Sequence, residues 1–130
     1  MPTIPDTAKA WLDAPEFATI ATIEPDGQPH LSVVWIERDG DDLLVSTVKG
    51  RRKHANLARD PRATVLVYPR ERPYSYVEVR GTATMTEEGG RELIDRLGRA
   101  YRGWERYPGD DGTDNVRVVV RIRPDRVITR

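Results

Sequence analysis

The sequence has no cysteine among its 130 residues. This absence excludes a disulfide framework, a thiolate metal site and catalysis by a cysteine nucleophile. The chain has only two histidines, His30 and His54, and they are too far apart for the short spacings of zinc-binding motifs. We therefore expect no zinc or iron site.

Long apolar runs are missing as well. No stretch approaches the roughly 20 apolar residues of a transmembrane helix, and the sequence does not open with a charged and then apolar leader. The 21 basic and 21 acidic residues give a formal net charge of zero, so we expect no bulk attraction to nucleic acid or to a membrane surface. These features predict a cytoplasmic protein that forms one domain over residues 1–130.

Short apolar runs separated by turn residues dominate the first part of the chain. Residues 17–23, 31–37 and 42–48 have the composition and spacing of strands. The turn signals at 24–29 and 39–41 are the proline, aspartate and glycine combinations that connect hairpins. This pattern predicts a three-stranded meander.

The remaining segments predict further strands with helices between them. The resulting total of six mostly antiparallel strands favours a small barrel over an open sheet, because closure removes exposed edges. The predicted helices cover 7–12 and 53–59 and one that starts from Thr86 as N-cap, and the added strands cover 63–68, 74–85 and 116–129.

A basic segment at residues 46–57 is the most informative part of the sequence. It runs from the end of an apolar strand through a glycine into a helix whose first turn carries Arg51, Arg52 and Lys53. Acidic residues are usual at that position, because the free N–H groups of a helix start carry partial positive charge. Hydroxyls, free N–H groups and clustered cations at a strand-to-helix junction are typical of a phosphate site.

Two other interpretations of the basic segment stay open at this point. One is a solvated charged face, which is the commonest fate of a short basic cluster. The other is ion pairing within the fold, for example with Asp60 or Glu71. Short motifs of this kind have a high false-positive rate, so the choice depends on the rest of the chain.

The order of motifs resembles the flavin/deazaflavin oxidoreductase superfamily, the split β-barrels related to pyridoxamine 5′-phosphate oxidase. The matching segments are 17–22 with 25–29, then 32–35, 49–63 and 76–81, and they follow one another over nearly the whole chain. The run Gly-Arg-Arg-Lys-x-x-Asn-Leu-x-x-Asp-Pro-Arg is most similar to the branch that uses coenzyme F-420, a deazaflavin with a phosphate and a polyglutamyl tail. The resemblance implies a mainly β, six-stranded antiparallel split barrel with short helices that forms a homodimer.

The resemblance also implies where a cofactor binds. Residues of the basic segment contact the phosphate and the tail, a pair on the second strand lies against the ring, and two tyrosines reach the site of the partner subunit. In that order, the expected cofactor-binding residues are Ser46, Thr47, Lys49, Arg51, Arg52, Lys53 and Asn56, then Ser32 and Val33, then Tyr74 and Tyr76.

The implied activity is that of an oxidoreductase that passes a hydride from reduced F-420 to a small organic acceptor. The cofactor carries this chemistry, and no separate acid–base constellation is visible in the sequence. Two alternatives are an FMN-dependent relative and a non-catalytic carrier of a flavin or deazaflavin. Trp35 is the tryptophan best placed to line a ring pocket, and loops 69–73 and 104–115 are expected beside the acceptor.

Overall fold

The computed structural model describes residues 2–130 and consists of strands with short helices between them. In chain order the elements are α1 (Asp6–Asp13), β1 (Ala18–Ile23), β2 (Pro29–Val34), β3 (Glu37–Asp39), β4 (Asp42–Val48), α2 (Arg52–Arg59), β5 (Arg62–Val67), β6 (Val77–Thr86), α3 (Gly90–Arg102) and β7 (Arg117–Thr129). None of the helices in residues 2–130 is long and apolar enough to cross a membrane.

Within those described residues, all seven strands form one antiparallel sheet in the order β2-β1-β5-β6-β7-β4-β3. β2 and β3 lie at opposite edges of this sheet, although only Trp35 and Ile36 separate them in the chain. The sheet therefore curls until its two edges face each other. This arrangement confirms the predicted split barrel.

The strand count is one higher than predicted, because the segment 31–37 is divided between β2 and β3. β2 pairs with β1 and β3 pairs with β4, so the predicted three-stranded meander is wrong. The division occurs at Ile36, whose N–H donates to the Tyr101 hydroxyl at 3.0 Å instead of to a neighbouring strand. A side chain from α3 thus satisfies the backbone where the strand pairing stops.

The start of α3 also differs from the prediction. Thr86 is the last residue of β6, and the helix begins at Gly90 with Gly89 as its N-cap. Gly89 has a φ of 80°, a left-handed conformation that glycine adopts without a steric penalty. A Cβ on Gly90 would lie only 2.1 Å from the Arg117 carbonyl oxygen, so the lack of a side chain lets α3 approach β7 closely.

The predicted strand 74–85 begins later than expected, at Val77. From there, the alternation visible in the sequence holds, with Val77, Val79 and Ala83 buried inside the barrel. Tyr74 precedes the strand in a turn and is 83% exposed. The strand start is displaced because the proline-rich loop extends through residue 76.

Two hydrophobic clusters hold the molecule together. The larger one fills the barrel, and the smaller one packs α3 against the outside of the sheet through Leu44, Leu93, Ile94 and Leu97. Leu93 and Leu97 are almost fully buried, and burial of such a side chain stabilises a fold by about 1.5–3 kcal/mol. The smaller cluster fixes α3 as the wall of the candidate site.

Candidate functional site

A cleft of about 290 Å³ lies where β2 and β4 meet α2 and α3. Polar and apolar side chains both line it. We call the polar residues the polar wall, namely Ser46, Thr47, Arg51, Lys53 and Arg117, and the others the apolar wall, namely Phe17, Val33, Val34, Trp35, Ile94, Leu97 and Tyr107. Among residues 2–130, no group of three or more His, Asp or Glu side chains is placed to hold a metal ion.

The N-terminus of α2 opens onto the polar wall. Its N-cap is Arg51, which makes no side-chain capping hydrogen bond, and no acidic residue occupies the first turn. The turn before it is set by Gly50, with a φ of 89°, and the Gly50 N–H donates to His54 Nδ1 at 3.2 Å. The first N–H groups of a helix have no partner within the helix, so this end suits an anion.

Two cations of the basic segment are paired with carboxylates. Lys49 Nζ lies 3.0 Å from Glu87, and Arg52 Nε lies 3.6 Å from Glu24. Both cations are more than half exposed. The ion-pairing interpretation therefore holds for this half of the cluster, although the partners are not the Asp60 and Glu71 considered from the sequence.

Arg51 and Lys53 are different, because neither has a carboxylate within 4.0 Å among residues 2–130. Lys53 Nζ instead donates to Ser32 Oγ at 3.1 Å. Burial, and then the charge of Arg51, lower the pKa of Lys53. Two neighbouring cations of the cleft thus lack a counter-charge, which an anionic ligand would supply.

The aromatic part of the apolar wall is held in place by α3. The Trp35 ring stacks on Tyr101 with ring centres 5.4 Å apart, and Tyr107 meets it edge-on at 6.2 Å. The Tyr101 hydroxyl donates to the Glu16 carbonyl at 2.7 Å and accepts from the Ile36 N–H. Burial raises the pKa of Tyr101. The result is a fixed apolar surface against which a planar ring can pack.

Arg117 completes the polar wall from the start of β7. Its side chain is only 9% exposed, and it forms two hydrogen bonds with Asp110, at 2.7 and 3.0 Å. These bonds hold the pKa of Asp110 below its usual value. The guanidinium lies over the Tyr107 ring, 4.8 Å from its centre, and its Nη1 reaches Ser46 Oγ at 3.4 Å.

A family model described as pyridoxamine 5′-phosphate oxidase matches residues 4–130. The chain belongs to the pyridoxamine 5′-phosphate oxidase family. The match covers the whole sheet, both walls of the cleft and the basic segment. The resemblance inferred from the order of the sequence motifs is thereby confirmed.

Solved structures support the same assignment. An F-420 reductase is 26% identical to this chain and superposes on it with a TM-score of 0.85. The alignment covers 96% of this chain and 98% of the reductase. The conserved hypothetical protein Rv2991 from Mycobacterium tuberculosis has 27% identity, coverage of 98% and 85%, and a TM-score of 0.78. General Stress Protein 26 from Bacillus anthracis, at 19% identity, 95% and 91% coverage and a TM-score of 0.72, shares the fold.

Several residues predicted from the family pattern meet at the cleft. Val33, Ser46, Thr47, Arg51 and Lys53 line it directly. Ser32 adjoins it through its hydrogen bond with Lys53, whereas Lys49 and Arg52 are held in their ion pairs outside the lining.

The other predicted residues lie away from the cleft. Asn56 is 2% exposed, and its side-chain amide donates to Thr22 Oγ1 at 3.1 Å. Tyr74 projects from its turn, and the Tyr76 backbone exchanges hydrogen bonds with Arg130. A role for the two tyrosines in the site of a partner subunit stays a prediction.

The sequence predicts loop 104–115 beside the acceptor, and Tyr107 of this loop lines the cleft, but neither Tyr107 nor Arg117 is predicted individually as a site residue. Arg117 lies opposite Val48 in the pairing of β4 with β7, so correct pairing of the last strand would have placed it beside the basic segment. Within loop 104–115 no local pattern distinguishes Tyr107, because its position depends on Asp95, which accepts its N–H at 2.7 Å, and on Arg91, which donates to its carbonyl. Four apolar lining residues were likewise unassigned, namely Phe17, Val34, Ile94 and Leu97.

Proposed function

We propose that this protein is an oxidoreductase that binds a phosphorylated flavin-type cofactor in the cleft and transfers a hydride to an organic acceptor. Coenzyme F-420 is the first candidate cofactor. The observation that carries the proposal is the pair Arg51 and Lys53, which lack carboxylate partners among residues 2–130 and lie beside the hydroxyls of Ser46 and Thr47. Family membership and the similarity to an F-420 reductase support it.

Each wall of the cleft has a separate task under this proposal. When bound, the reduced cofactor supplies the hydride. Arg51 and Lys53 hold its phosphate by charge-assisted hydrogen bonds, and the wall around Trp35 excludes water from the ring. Val33 lines the open side of the cleft and is 68% exposed. We propose that a second subunit covers this side in a homodimer.

FMN is the second candidate cofactor, and the ion pairs of the basic segment favour it. A single phosphate requires only Arg51 and Lys53, whereas a polyglutamyl tail would draw on Lys49 and Arg52, which already have partners. Displacing these exposed ion pairs costs about 0–1 kcal/mol each, a penalty that applies to the tail of F-420 and not to FMN. A Lys49→Ala/Arg52→Ala variant should therefore weaken F-420 binding and leave FMN binding unchanged if the tail is recognised there.

The direct test is titration of the purified protein with F-420 and with FMN. We expect at least one to bind with a Kd below about 100 μM, near −5.5 kcal/mol. Arg51→Ala/Lys53→Ala should weaken this binding by at least about 100-fold, since each charge-assisted hydrogen bond contributes about 1.5–3 kcal/mol. Arg96→Ala, which removes an arginine paired with Glu37 on the outside of α3, is the matched control. Failure of both cofactors to bind the wild type would overturn the proposal.

Turnover separates an enzyme from a carrier. We expect the reduced cofactor that binds more tightly to be oxidised when a quinone or nitroaromatic acceptor is added, with the rate falling in the Arg51→Ala/Lys53→Ala variant. Tight binding without oxidation by any acceptor of the panel would identify a cofactor carrier instead.

A further inference from the structure

Arg117 is a cation of the cleft, with a side chain only 9% exposed, whose charge is already matched. Its Nε and Nη2 both donate to the Asp110 carboxylate, which is itself 7% exposed and also accepts from Asn115 at 2.9 Å. Arg91 adds a longer contact to the same carboxylate, at 3.5 Å. Arg117 is thus part of a hydrogen-bonded ion-pair network, whereas Arg51 and Lys53 have no carboxylate partner among residues 2–130.

The Nη1 group of Arg117 is the donor that this network leaves available. It contacts Ser46 Oγ at 3.4 Å, well beyond the usual 2.9–3.0 Å of an N–H···O hydrogen bond. The Tyr107 ring under the guanidinium, 4.8 Å away, fixes the plane in which Nη1 points. Both Ser46 and Tyr107 line the cleft, so this donor is positioned within the ligand-binding volume.

A guanidinium neutralised by a buried carboxylate attracts a second anion weakly, yet its N–H remains a strong, directional donor. This property suits an uncharged oxygen better than a phosphate. We propose that Arg117 is a specificity-determining residue that donates through Nη1 to a carbonyl or hydroxyl oxygen of a ring bound in the cleft, while Arg51 and Lys53 hold the phosphate. This role of Arg117 rests on the proposed function. In the polar wall, Arg51 and Lys53 would then bind a phosphate, and Arg117 an uncharged oxygen.

The oxygen has two possible sources, the ring of the cofactor and the organic acceptor. Riboflavin, which has the FMN ring without its phosphate, distinguishes binding of the ring from binding of the phosphate. Menadione, a quinone with two carbonyl oxygens, serves as the acceptor probe.

The experiment measures riboflavin and FMN affinity, or F-420 affinity if the wild type binds no flavin, and the KM for menadione in wild type and in Arg117→Met and Arg117→Lys. If the oxygen is on the cofactor ring, the Arg117 variants should weaken riboflavin and FMN by the same factor, about tenfold. If it is on the acceptor, cofactor affinities should stay unchanged and the KM for menadione should rise about tenfold. Arg51→Ala/Lys53→Ala should instead weaken FMN and spare riboflavin.

Two results would overturn the inference, namely a loss confined to FMN and the absence of any change in all three measurements. Arg117→Lys retains a charge opposite Asp110 and keeps the test valid should Arg117→Met not fold. The matched control is Arg121→Lys, on the same strand, whose exposed guanidinium pairs with Asp39 and Asp42. Binding of neither flavin nor F-420 to the wild type would refute the proposed function itself, a result distinct from a failure at Arg117 alone.

A charge-removal variant gives an independent readout. Asp110→Asn should leave the Arg117 charge unmatched, so the ratio of FMN affinity to riboflavin affinity should rise, and this rise should shrink with added salt. An unchanged ratio in the folded variant would contradict the view that Asp110 neutralises Arg117.

Discussion

Lys53 illustrates how a single residue can favour binding and oppose stability. Its pKa is lowered by burial and by the charge of Arg51, so the unliganded fold disfavours its protonated form. This penalty is fully present below the lowered pKa and is relieved as pH rises through it towards the ordinary lysine value of about 10.4. We predict that Lys53→Met is at least as thermostable as the wild type at pH 7 while its FMN affinity falls.

Thermal unfolding between pH 7 and pH 10, followed by circular dichroism, checks this prediction. The advantage of Lys53→Met over the wild type should diminish towards the upper end of that range. A variant that is less stable at pH 7 and gains relative stability at pH 10 would contradict it.

Asn56 is a predicted site residue whose contacts in the structure stabilise the fold. Its side chain bridges Thr22 Oγ1 and the Arg59 guanidinium, at 3.1 and 3.2 Å, and both Asn56 and Thr22 are buried. We predict that Asn56→Ala lowers the free energy of unfolding by about 1–3 kcal/mol, because the buried Thr22 hydroxyl loses its partner. Urea denaturation measures this loss. A double-mutant cycle with Thr22→Val should show strong coupling, and additive effects would refute the assigned contact.

At the scale of elements, α3 holds the β2–β3 junction through one hydroxyl. Tyr101→Phe keeps the stacking on Trp35 but leaves the Ile36 N–H, in a residue 4% exposed, without its acceptor. We predict a loss of about 1–3 kcal/mol in the free energy of unfolding and a change in Trp35 near-ultraviolet circular dichroism. The control is Tyr68→Phe, because the Tyr68 hydroxyl makes no hydrogen bond within residues 2–130. Equal stability of the two variants would contradict a stabilising role for the Tyr101 hydroxyl at the β2–β3 junction.

The same junction shows which elements can be predicted from the sequence and which cannot. The alternation of Val77 and Val79 in β6 and the helical spacing of Leu93 and Leu97 in α3 are local patterns, and the structure confirms both. The break between β2 and β3 depends on Tyr101, which is 65 positions from Ile36 in the chain. A contact of that range leaves no periodicity in the strand that it divides.

The residues of the candidate site likewise include some that the local sequence predicts and others that depend on long-range contacts. The basic segment consists of adjacent residues, so the sequence alone predicts Arg51 and Lys53 as site residues. Arg117 reaches the cleft only through the pairing of β7 with β4 and through Asp110 in the preceding loop. Residues whose position is set by strand pairing and by loop contacts require the tertiary structure.

At the scale of the whole molecule, curling of the sheet places the cleft beside an exposed edge strand. β2 forms one edge of the sheet, and its Leu31 and Val33 are 63% and 68% exposed. Natural proteins usually protect an edge with charge, proline or a covering element, and contiguous apolar side chains on a surface are typical of an interaction site. The proposed homodimer would provide that cover.

Leu31→Glu tests this arrangement. Leu31 and Val33 lie on the same exposed face of β2, but only Val33 lines the cleft. We predict that the wild type sediments as a dimer, that Leu31→Glu sediments as a monomer, and that its FMN affinity falls although every cleft residue is intact. Ala100→Glu, at an exposed position on α3, should change neither property. A dimer that persists in Leu31→Glu would place the interface elsewhere, whereas a monomer with wild-type FMN affinity would show that one subunit completes the site. We expect the dimer and the FMN affinity to be lost together, because the cleft is open beside Val33. One side of a bound ring would stay in water there until the second subunit covers it.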